Sequence, residues 1–405
     1  MTEAGVPTVS LNLIQTLGLG AVVYYLGVLL KKRLRLLDRL NIPAAVVGGL
    51  LFAFIILGAR DRLLNLRLDT SAQSLFMVAF FTTIGMNASV PLLKAGGRGV
   101  VVFLLLSSLF CVVQNFVGMG IASLYGVHPL LGVMAGSVTL VGGPATGLAF
   151  SGLFRDAGLI GADTIAITSA TFGIVCGGLA GGPVATLLIT RRGVVKRAAT
   201  GSTVNEEPGR TELPVDVERE DSSFVINMII LGGTMAVGSV VSYWIESAGV
   251  TLPAYIGAMV VASLARNLDD RTKWFAIDIR AMELIGSISL NIFLVVALMN
   301  LKLWELVHLA LPLLSILMVQ VAIVGVFTVF VTFRVMGKDY DSAVMAGGFI
   351  GFVLGTVANA VANMRSLVTR YGPAPRAFLI VPLVGAFFID FVNALIITWF
   401  LNWLR

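Results

Sequence analysis

The sequence has few charged residues and few of the side chains that bind metals or form disulfides. Only 12% of the 405 residues are charged, whereas 57% are hydrophobic and the mean hydropathy is +0.95. A soluble chain is about one-quarter charged. The two cysteines, Cys111 and Cys176, lie in apolar runs, which predicts free thiols and excludes a disulfide or cysteine–metal framework. The two histidines, His128 and His308, fall near the ends of apolar runs, where we expect surface roles.

Other missing groups exclude whole classes of catalyst. The sequence contains no GxxxxGK[ST] nucleotide loop, so we do not expect the chain to hydrolyse ATP itself. An intramembrane aspartyl protease needs two deep aspartates, and a zinc protease needs clustered histidines and acids; neither pattern is present. We therefore predict that the protein is not an enzyme and has no cofactor. The first residues, MTEAGVPT, lack the basic start of a cleavable signal peptide, and we expect none.

Apolar runs of about 20 residues recur along the chain, and each is long enough to cross a bilayer as a helix. They predict an all-α polytopic membrane protein with five spans in each half. The predicted spans begin near Leu11, Pro43, Leu75, Val100, Thr164, Phe224, Pro253, Leu284, Leu306 and Ala377. Between the halves, residues 191–222 hold 13 charged residues in 32, which predicts a flexible linker.

The distribution of basic residues predicts the orientation of these spans. If the N- and C-termini are outside, 22 of the 28 lysines and arginines fall on the cytoplasmic side, including those of the linker. Such a bias is the usual signature of cytoplasmic loops. The net charge of +6 is thus explained by topology, and we do not expect nucleic-acid binding. Because five spans is an odd number, the second half enters the membrane in the opposite direction, which predicts inverted repeats.

A duplicated segment supports the repeat. Val133-Met134-Ala135-Gly136 and Val344-Met345-Ala346-Gly347 are identical, and each opens a stretch rich in Gly, Ser, Thr and Asn. We predict an N-terminal repeat, residues 1–190, with a re-entrant segment at 130–154. The linker 191–222 follows, and then a C-terminal repeat, residues 223–405, with a re-entrant segment at 342–366. Hairpins entering from opposite faces can meet near the membrane midplane.

Polar backbone at that depth is tolerated where it lines a watery cavity, which predicts a binding site between the two hairpin tips. Small residues that merely allow close helix packing are the alternative interpretation. The predicted substrate-binding residues are Ser137, Thr139, Gly142, Gly143, Thr146, Gly355, Thr356, Asn359 and Asn363. No basic residue lies at this depth, so an anionic substrate would be met by helix N-termini and bound cations, which favours coupling to Na⁺.

Asp390 is the most distinctive single residue because it lies near the middle of the last predicted span. An ionisable group at that depth is costly and indicates a functional site. It either ligates Na⁺ or forms a structural hydrogen bond. The predicted sodium ligands are Asp390, Asn393, Thr171 and Asn359. Weaker candidates are the cavity oxygens Thr168 and Ser169, which often bond back to their own helix, and the amides Asn291, Gln114 and Gln320, expected to tie helices together.

Nearly the whole chain resembles the bacterial sodium:glutamate symporter family. The similar blocks include FFTTIGMNASVPLLKAGGR from Phe80, GSVTLVGGPATGLAF from Gly136, ATFGIVCGGLAGGPVA from Ala170, MGKDYDSAVMAG from Met336 and VPLVGAFFIDFVNALII from Val381. The resemblance implies two five-helix inverted repeats with re-entrant loops, a homodimer in the bacterial inner membrane, and Na⁺-coupled uptake of L-glutamate. The resemblance also implies that the translocation path is lined by residues 137–146, residues 351–363 and Asp390.

The chain departs from the family pattern in both loops. The family usually has Gly-Gly-His-Gly-Thr in the first loop, where this chain has Pro144 and Ala145 between Gly143 and Thr146. In the second loop the family usually has Ala-Thr-Pro-Thr before Ala-Asn-Met, where this chain has Thr356-Val357-Ala358-Asn359. We therefore retain two other hypotheses: a uniporter or exchanger of another organic carboxylate, and a substrate-binding membrane protein that does not transport.

Overall fold

The structure, a computed structural model, describes residues 6–60, 62–194, 217–247, 249, 252–275, 277–306 and 308–404. Residues 195–216, most of the predicted linker, lie outside this part of the chain. The described helix that follows begins at Val217, so the predicted linker boundary at residue 222 falls inside a helix.

The described chain is mainly helical, as its long apolar runs predict. The helices are α1 (Leu13–Arg33), α2 (Arg35–Arg39), α3 (Ala44–Ala59), α4 (Ser71–Met86), α5 (Val90–Ala95), α6 (Gly97–Leu124), α7 (Leu130–Val133), α8 (Gly143–Asp156), α9 (Ala162–Arg192), α10 (Val217–Ser247), α11 (Tyr255–Thr272), α12 (Ile279–Met299), α13 (Ala310–Phe327), α14 (Phe333–Val335), α15 (Tyr340–Leu354), α16 (Val357–Tyr371), α17 (Pro375–Leu383) and α18 (Ile389–Leu404). A 3₁₀ turn covers Leu303–Leu306, and π-helical turns cover Met134–Val138, Thr328–Thr332 and Val384–Phe388.

The predicted spans overlap these helices, although the last one, from Ala377, is divided into α17, the π turn Val384–Phe388 and α18. Six helical segments of the described chain are long and apolar enough to cross a membrane. The six are Leu13–Arg33, Gly97–Leu124, Ala162–Arg192, Phe224–Ser247, Ile279–Met299 and Ala310–Val335. Four shorter apolar helices are Ala44–Ala59, Ser71–Met86, Tyr340–Leu354 and Ile389–Leu404. The structure therefore confirms a polytopic, mainly α-helical membrane protein.

A small β element was not expected from the sequence. Strand β1 (Thr8–Leu11) pairs in parallel with β2 (Asn65–Leu68), and Thr8 lies opposite Asn65. The segment before α1 is thereby attached to the connection between α3 and α4. The all-α prediction missed this pair because four-residue strands carry almost no periodic signal.

The helices form two packed groups. Helices α1, α3, α4, α10, α11 and α12 contact one another and form the six-helix group. Helices α6 to α9 and α13 to α18 form the broken-helix group, in which α9 packs along α15. Tyr255 on α11 joins the groups: its ring stacks on Phe81 of α4, with centroids 3.8 Å apart, and meets the edge of Phe150 on α8 at 6.3 Å. Both predicted hairpin segments therefore lie in one group.

Candidate functional site

The first glycine-rich segment is a broken helix. Helix α7 continues into the π turn Met134–Val138, where Gly136 leaves helical geometry (φ −102°, ψ −130°), and α8 begins at Gly143. A Cβ atom at Gly136 would lie 2.7 Å from Asn115 Oδ1, so only glycine allows this close approach. Gly143 has φ +68°, a conformation that side chains other than glycine rarely adopt. The sequence Gly-Gly therefore ends one helix and starts another inside the protein.

The second segment is broken in the same way. Helix α15 ends at Leu354, Gly355 is not helical, and Thr356 caps α16 by accepting a hydrogen bond from the Asn359 backbone N–H at 3.4 Å. A Cβ atom at Gly355 would lie 2.8 Å from Asn359 Nδ2. Helices α8 and α16 thus begin at the two breaks, and their N-terminal backbone amides lie there. At such a helix end the helix dipole favours negative charge.

The two breaks meet at Gly173 of α9. A Cβ atom there would lie 2.2 Å from the carbonyl oxygen of Leu354 and 2.7 Å from Cδ2 of Leu140, which belong to the second and first break. One turn later, a Cβ atom at Gly177 would lie 3.2 Å from Leu354 Cβ. The glycines of α9 therefore bring segments more than 200 residues apart in the chain to one place.

The side-chain amides of Gln114 and Asn115, neighbours on α6, form hydrogen bonds with the backbone of both breaks. Asn115 Oδ1 accepts a hydrogen bond from the Ser137 backbone N–H at 2.9 Å, and Gln114 Nε2 donates one to the Val353 carbonyl at 3.1 Å. Gln320 Nε2 in turn donates to the Gln114 carbonyl at 2.7 Å. The prediction that Gln114 and Gln320 tie helices together is therefore confirmed. Asn115 was missed, although an amide next to Gln114 in an apolar helix was a usable signal.

Several buried polar atoms at this junction have no hydrogen-bond partner in the described structure. A buried polar group without a partner costs about 1–3 kcal/mol, so such a cluster calls for an explanation. Around the two breaks these atoms are Gln114 Oε1, Asn115 Nδ2, Ser137 Oγ, Ser169 Oγ, Thr171 Oγ1, Gln320 Oε1 and Asn393 Oδ1. Most of them are oxygens that can ligate a cation. The hydroxyls of Ser169 and Thr171 do not bond to the backbone of their own helix, so the local role that serine and threonine often have in helices does not explain them.

The predicted asparagines use their amide nitrogens to join helices. Asn359 Nδ2 donates to the Ile174 carbonyl at 2.6 Å, and Asn363 Nδ2 donates to the Gly177 carbonyl at 2.9 Å. Asn359 Oδ1 lies 3.5 Å from the Thr356 hydroxyl, which donates to it. These contacts fasten α16 to α9 beside the second break. They place Asn359 and Asn363 at the junction, with nitrogens already engaged.

Asp390 and Asn393 belong to the same region. Asn393 Nδ2 donates to the Ser137 carbonyl at 2.9 Å, so α18 is attached to the first break. Asp390 is half-buried, lies almost one helical turn earlier, and is the second residue after the π turn Val384–Phe388.

The remaining predicted residues have more local roles. The Thr139 hydroxyl donates to the Met134 carbonyl at 2.7 Å within its own segment. Thr146 packs against Gly142, where an added Cβ would lie 2.5 Å from Thr146 Cβ. The expectation for Asn291 was wrong: Nδ2 bonds the Ser287 carbonyl of its own helix at 2.8 Å. His128 and His308 are exposed, as predicted.

The polar side-chain atoms at the junction are mainly neutral oxygens, and the Asp390 carboxylate is three residues from Asn393 on α18. No group of three or more His, Cys, Asp or Glu side chains comes together in the described part of the chain. Neutral oxygens and a single carboxylate suit a hard cation that binds oxygen, and the helix N-termini suit an anion. The arrangement can therefore hold a cation and an anion side by side.

Comparison with known proteins gives a consistent family assignment. Residues 9–373 match the family described as sodium/glutamate symporter; this match ends before α18. The chain is 40% identical over 400 residues to the sodium/glutamate symporter of Escherichia coli (strain K12), covering 96% of this chain and 98% of that protein, with the same values for that of Shigella flexneri. The identity is 38% over 383 residues to the sodium/glutamate symporter of Haemophilus influenzae, covering 94% and 95%. The chain therefore belongs to the sodium/glutamate symporter family.

Proposed function

We propose that this protein is a secondary transporter that couples inward movement of Na⁺ to uptake of L-glutamate or a closely related carboxylate. Substrate and sodium bind together between the two helix breaks, and the site is exposed alternately to the two sides of the membrane. The observation that carries this proposal is the convergence of both breaks on Gly173, beside buried oxygens that lack partners. The relatives at 38–40% identity, which are named as sodium/glutamate symporters, supply the substrate and ion.

The substrate lies between the breaks, where its carboxylates meet the N-terminal amides of α8 and α16. The residues that we propose to contact it are Ser137, Thr139, Gly142, Gly143, Thr146, Gly355, Thr356, Asn359 and Asn363. Of these, the Ser137 hydroxyl is buried and unpartnered, which makes it the strongest candidate. Glycines at both breaks let the main chain approach the solute closely.

Sodium is held by Asp390, Asn393 and Thr171, with Asn359 contributing its oxygen. Asn393 Oδ1 and Thr171 Oγ1 are buried without partners, which supports both assignments. Asn359 is less well placed because its oxygen already accepts from Thr356. Binding sodium beside the substrate solves an electrostatic problem: moving an uncompensated charge through a low-dielectric interior is costly. Two or more Na⁺ ions neutralise the substrate and Asp390 together.

The two halves are inverted repeats, and each broken segment is a re-entrant hairpin. Helix α6 runs antiparallel to α13: Tyr125 Oη meets Ser315 Oγ at 2.7 Å, and the Phe110 and Phe327 rings meet at 4.8 Å. In the N-terminal half α1 packs on α3, and in the C-terminal half α10 packs on α11 in the corresponding way. Across the halves, α4 packs on α11, and its counterpart α12 packs on α3. Helices α15 and α16, of 15 residues each, are about 22 Å long, too short to cross a hydrocarbon core of about 30 Å.

The protein sits in the bacterial inner membrane as a homodimer, with both termini outside and the linker in the cytoplasm. The bias of basic residues supports this orientation. Trp399 and Trp403 near the end of α18 are exposed, as expected for aromatic residues at a lipid–water interface. The dimer rests on the family resemblance.

The deciding experiment is uptake of radiolabelled L-glutamate by proteoliposomes that contain the purified protein. An inward Na⁺ gradient is compared with an equimolar K⁺ gradient and with a proton gradient. Accumulation with Na⁺ alone is the expected result. Accumulation without any Na⁺ gradient, or with a proton gradient alone, would overturn sodium coupling. Competition by unlabelled aspartate and other carboxylates then tests whether Pro144 and Ala145 change the substrate.

A further inference from the structure

An apolar cleft lies on the side of the broken-helix group. It has a volume of about 370 Å³ and lies between α9 and α13 with its following π turn. Ala180, Val184 and Leu187 form one wall, Gly325 and Phe330 belong to the other, and Ile350 of α15 lies at its base. Leu187 and Phe330 remain exposed, so the cleft opens to the surface of the protein.

The two walls of the cleft run in the same direction. Helix α9 is antiparallel to α15, because Gly173 and Gly181 approach the carbonyls of Leu354 and Gly347, respectively. Helix α13 is also antiparallel to α15. Gln320 of α13 is linked through Gln114 to Val353 near the end of α15. Phe327, later in α13, stacks its ring on that of Phe349, which comes earlier in α15. The C-terminal ends of α9 and of the α13–α14 segment therefore lie at the same end of the cleft.

Arginines stand at that end on both walls. Arg191 follows Leu187 by one helical turn, and Arg334 follows Phe330 in the same way, with its guanidinium carbon 5.6 Å from the Phe330 ring centroid. Arg192 is adjacent and exposed. Among the described residues, none of these three arginines takes part in an ion pair. The nearby carboxylate of Asp339 is instead bound by Arg376 at 3.0 Å.

We propose that this cleft binds one anionic phospholipid, with an acyl chain along the apolar walls and the phosphate among Arg191, Arg192 and Arg334. Water has no polar partners along such walls, whereas hydrocarbon fits them. The lining from Val321 to Phe330 spans about 13 Å at 1.5 Å per residue, a length that a section of acyl chain can follow. Basic groups at the mouth of a cleft between membrane helices favour anionic over zwitterionic headgroups.

The lipid would also contact the helix that leads to the second break. Ile350 lies at the base of the cleft and is one residue before Gly351 of α15. An acyl chain resting there stabilises the packing of α15 between α9 and α13. The lipid site is separate from the proposed substrate site, and its test does not depend on which solute is carried.

The test is native mass spectrometry of the purified protein with dioleoyl phosphatidylglycerol, dioleoyl phosphatidylcholine or glycerol 1-phosphate added stepwise. We expect one tightly retained phosphatidylglycerol and at least about tenfold weaker retention of phosphatidylcholine. Replacing all three arginines (Arg191→Gln, Arg192→Gln, Arg334→Gln) should lower phosphatidylglycerol affinity by tenfold or more. The matched control, Arg35→Gln with Arg271→Gln and Arg280→Gln, removes the same charge elsewhere and should retain the lipid.

A second variant tests the acyl chain independently. An added Cβ at Gly325 has open space around it, so Gly325→Phe should fill the cleft without disturbing the helix and displace the lipid. Gly233 on α10 is equally open, and Gly233→Phe is the control that should keep the lipid. Equal retention of phosphatidylcholine, effective competition by glycerol 1-phosphate, or unchanged lipid binding in both test variants would overturn the proposal.

Discussion

The side-chain amide of Asn393 donates a hydrogen bond to the carbonyl oxygen of Ser137 at 2.9 Å, while its own oxygen is buried without a partner. One side chain therefore attaches α18 to the first break and presents an oxygen at the junction. Asn393 can thus couple the shape of the break to the occupancy of a neighbouring cation site.

Asn393→Ala should raise the Na⁺ concentration needed for half-maximal uptake and lower thermal stability. The substitution removes a proposed cation ligand and the hydrogen bond that attaches α18 to the first break, and a hydrogen bond of this kind contributes about 0.5–1.5 kcal/mol. Sodium-dependent uptake and thermal unfolding measure the two effects. Asn402→Ala is the control on the same helix, because Asn402 only bonds the carbonyl of Thr398 one turn earlier. A variant that loses stability but keeps the wild-type sodium dependence would remove Asn393 from the ion site.

Asp390→Asn should weaken sodium binding more than substrate recognition. The amide keeps the size of the side chain but removes the negative charge that attracts the cation. We expect the half-saturating Na⁺ concentration to rise by about tenfold or more, with a smaller change in the glutamate KM at saturating Na⁺. Asp38→Asn, at an exposed position, is the control. An unchanged sodium dependence would favour the structural role for Asp390.

Gly173→Ala should abolish transport, whereas Gly178→Ala on the same helix should not. The new methyl at position 173 would lie 2.2 Å from the Leu354 carbonyl, and overpacking of this kind typically costs about 1–3 kcal/mol. At position 178 the nearest atom is Asn359 Nδ2 at 3.7 Å, an ordinary contact. Uptake measured at matched protein levels compares the two. Equal activities would mean that the breaks do not need the close approach at Gly173.

The cap of α15 should make stability depend on pH. Asp339 accepts hydrogen bonds from the Ser342 backbone N–H at 2.7 Å and from Arg376 at 3.0 Å. Burial alone raises the pKa of Asp339, but the Ser342 hydrogen bonds and the Arg376 charge outweigh it and hold the pKa below its ordinary value. Because the folded pKa is depressed, the carboxylate stabilises the fold above the unfolded pKa of about 4, and this contribution is lost as the pH falls through the folded pKa.

Asp339→Ala should therefore lower the unfolding temperature at pH 7, and the difference from wild type should shrink below about pH 4. Loss of such a cap typically costs about 1 kcal/mol. Thermal unfolding followed between pH 3 and 7 measures it. Asp38→Ala breaks an exposed pair with Lys31 at 3.5 Å and should have little effect at any pH. A defect of constant size down to pH 3 would contradict this account.

The sequence was sufficient to locate the helices and the two breaks, because apolar length and paired glycines are local signals. Gly142-Gly143 and Gly355 do interrupt helices, and Gln114 and Gln320 do bond across helices. What could not be predicted depends on contacts between distant residues. Nothing local to Asn359 indicates that its nitrogen binds the Ile174 carbonyl. Asn115 was a usable signal as a polar residue in an apolar helix, but its bond to the Ser137 N–H could not be predicted. The β1–β2 pair was missed because its four-residue strands carry almost no periodic signal.

Four side-chain hydrogen bonds at the breaks cross from one half of the chain to the other. In each of them a side-chain amide donates to a backbone carbonyl: Gln114 to that of Val353, Asn359 to Ile174, Asn363 to Gly177 and Asn393 to Ser137. Each half thus supplies hydrogen bonds to the backbone of the other, so we do not expect the halves to be independent folding units. A version of the chain cut within the linker should assemble only when both pieces are made together, and each piece alone should be degraded. The division of the sequence into two halves thus differs from the division of the structure into the six-helix group and the broken-helix group.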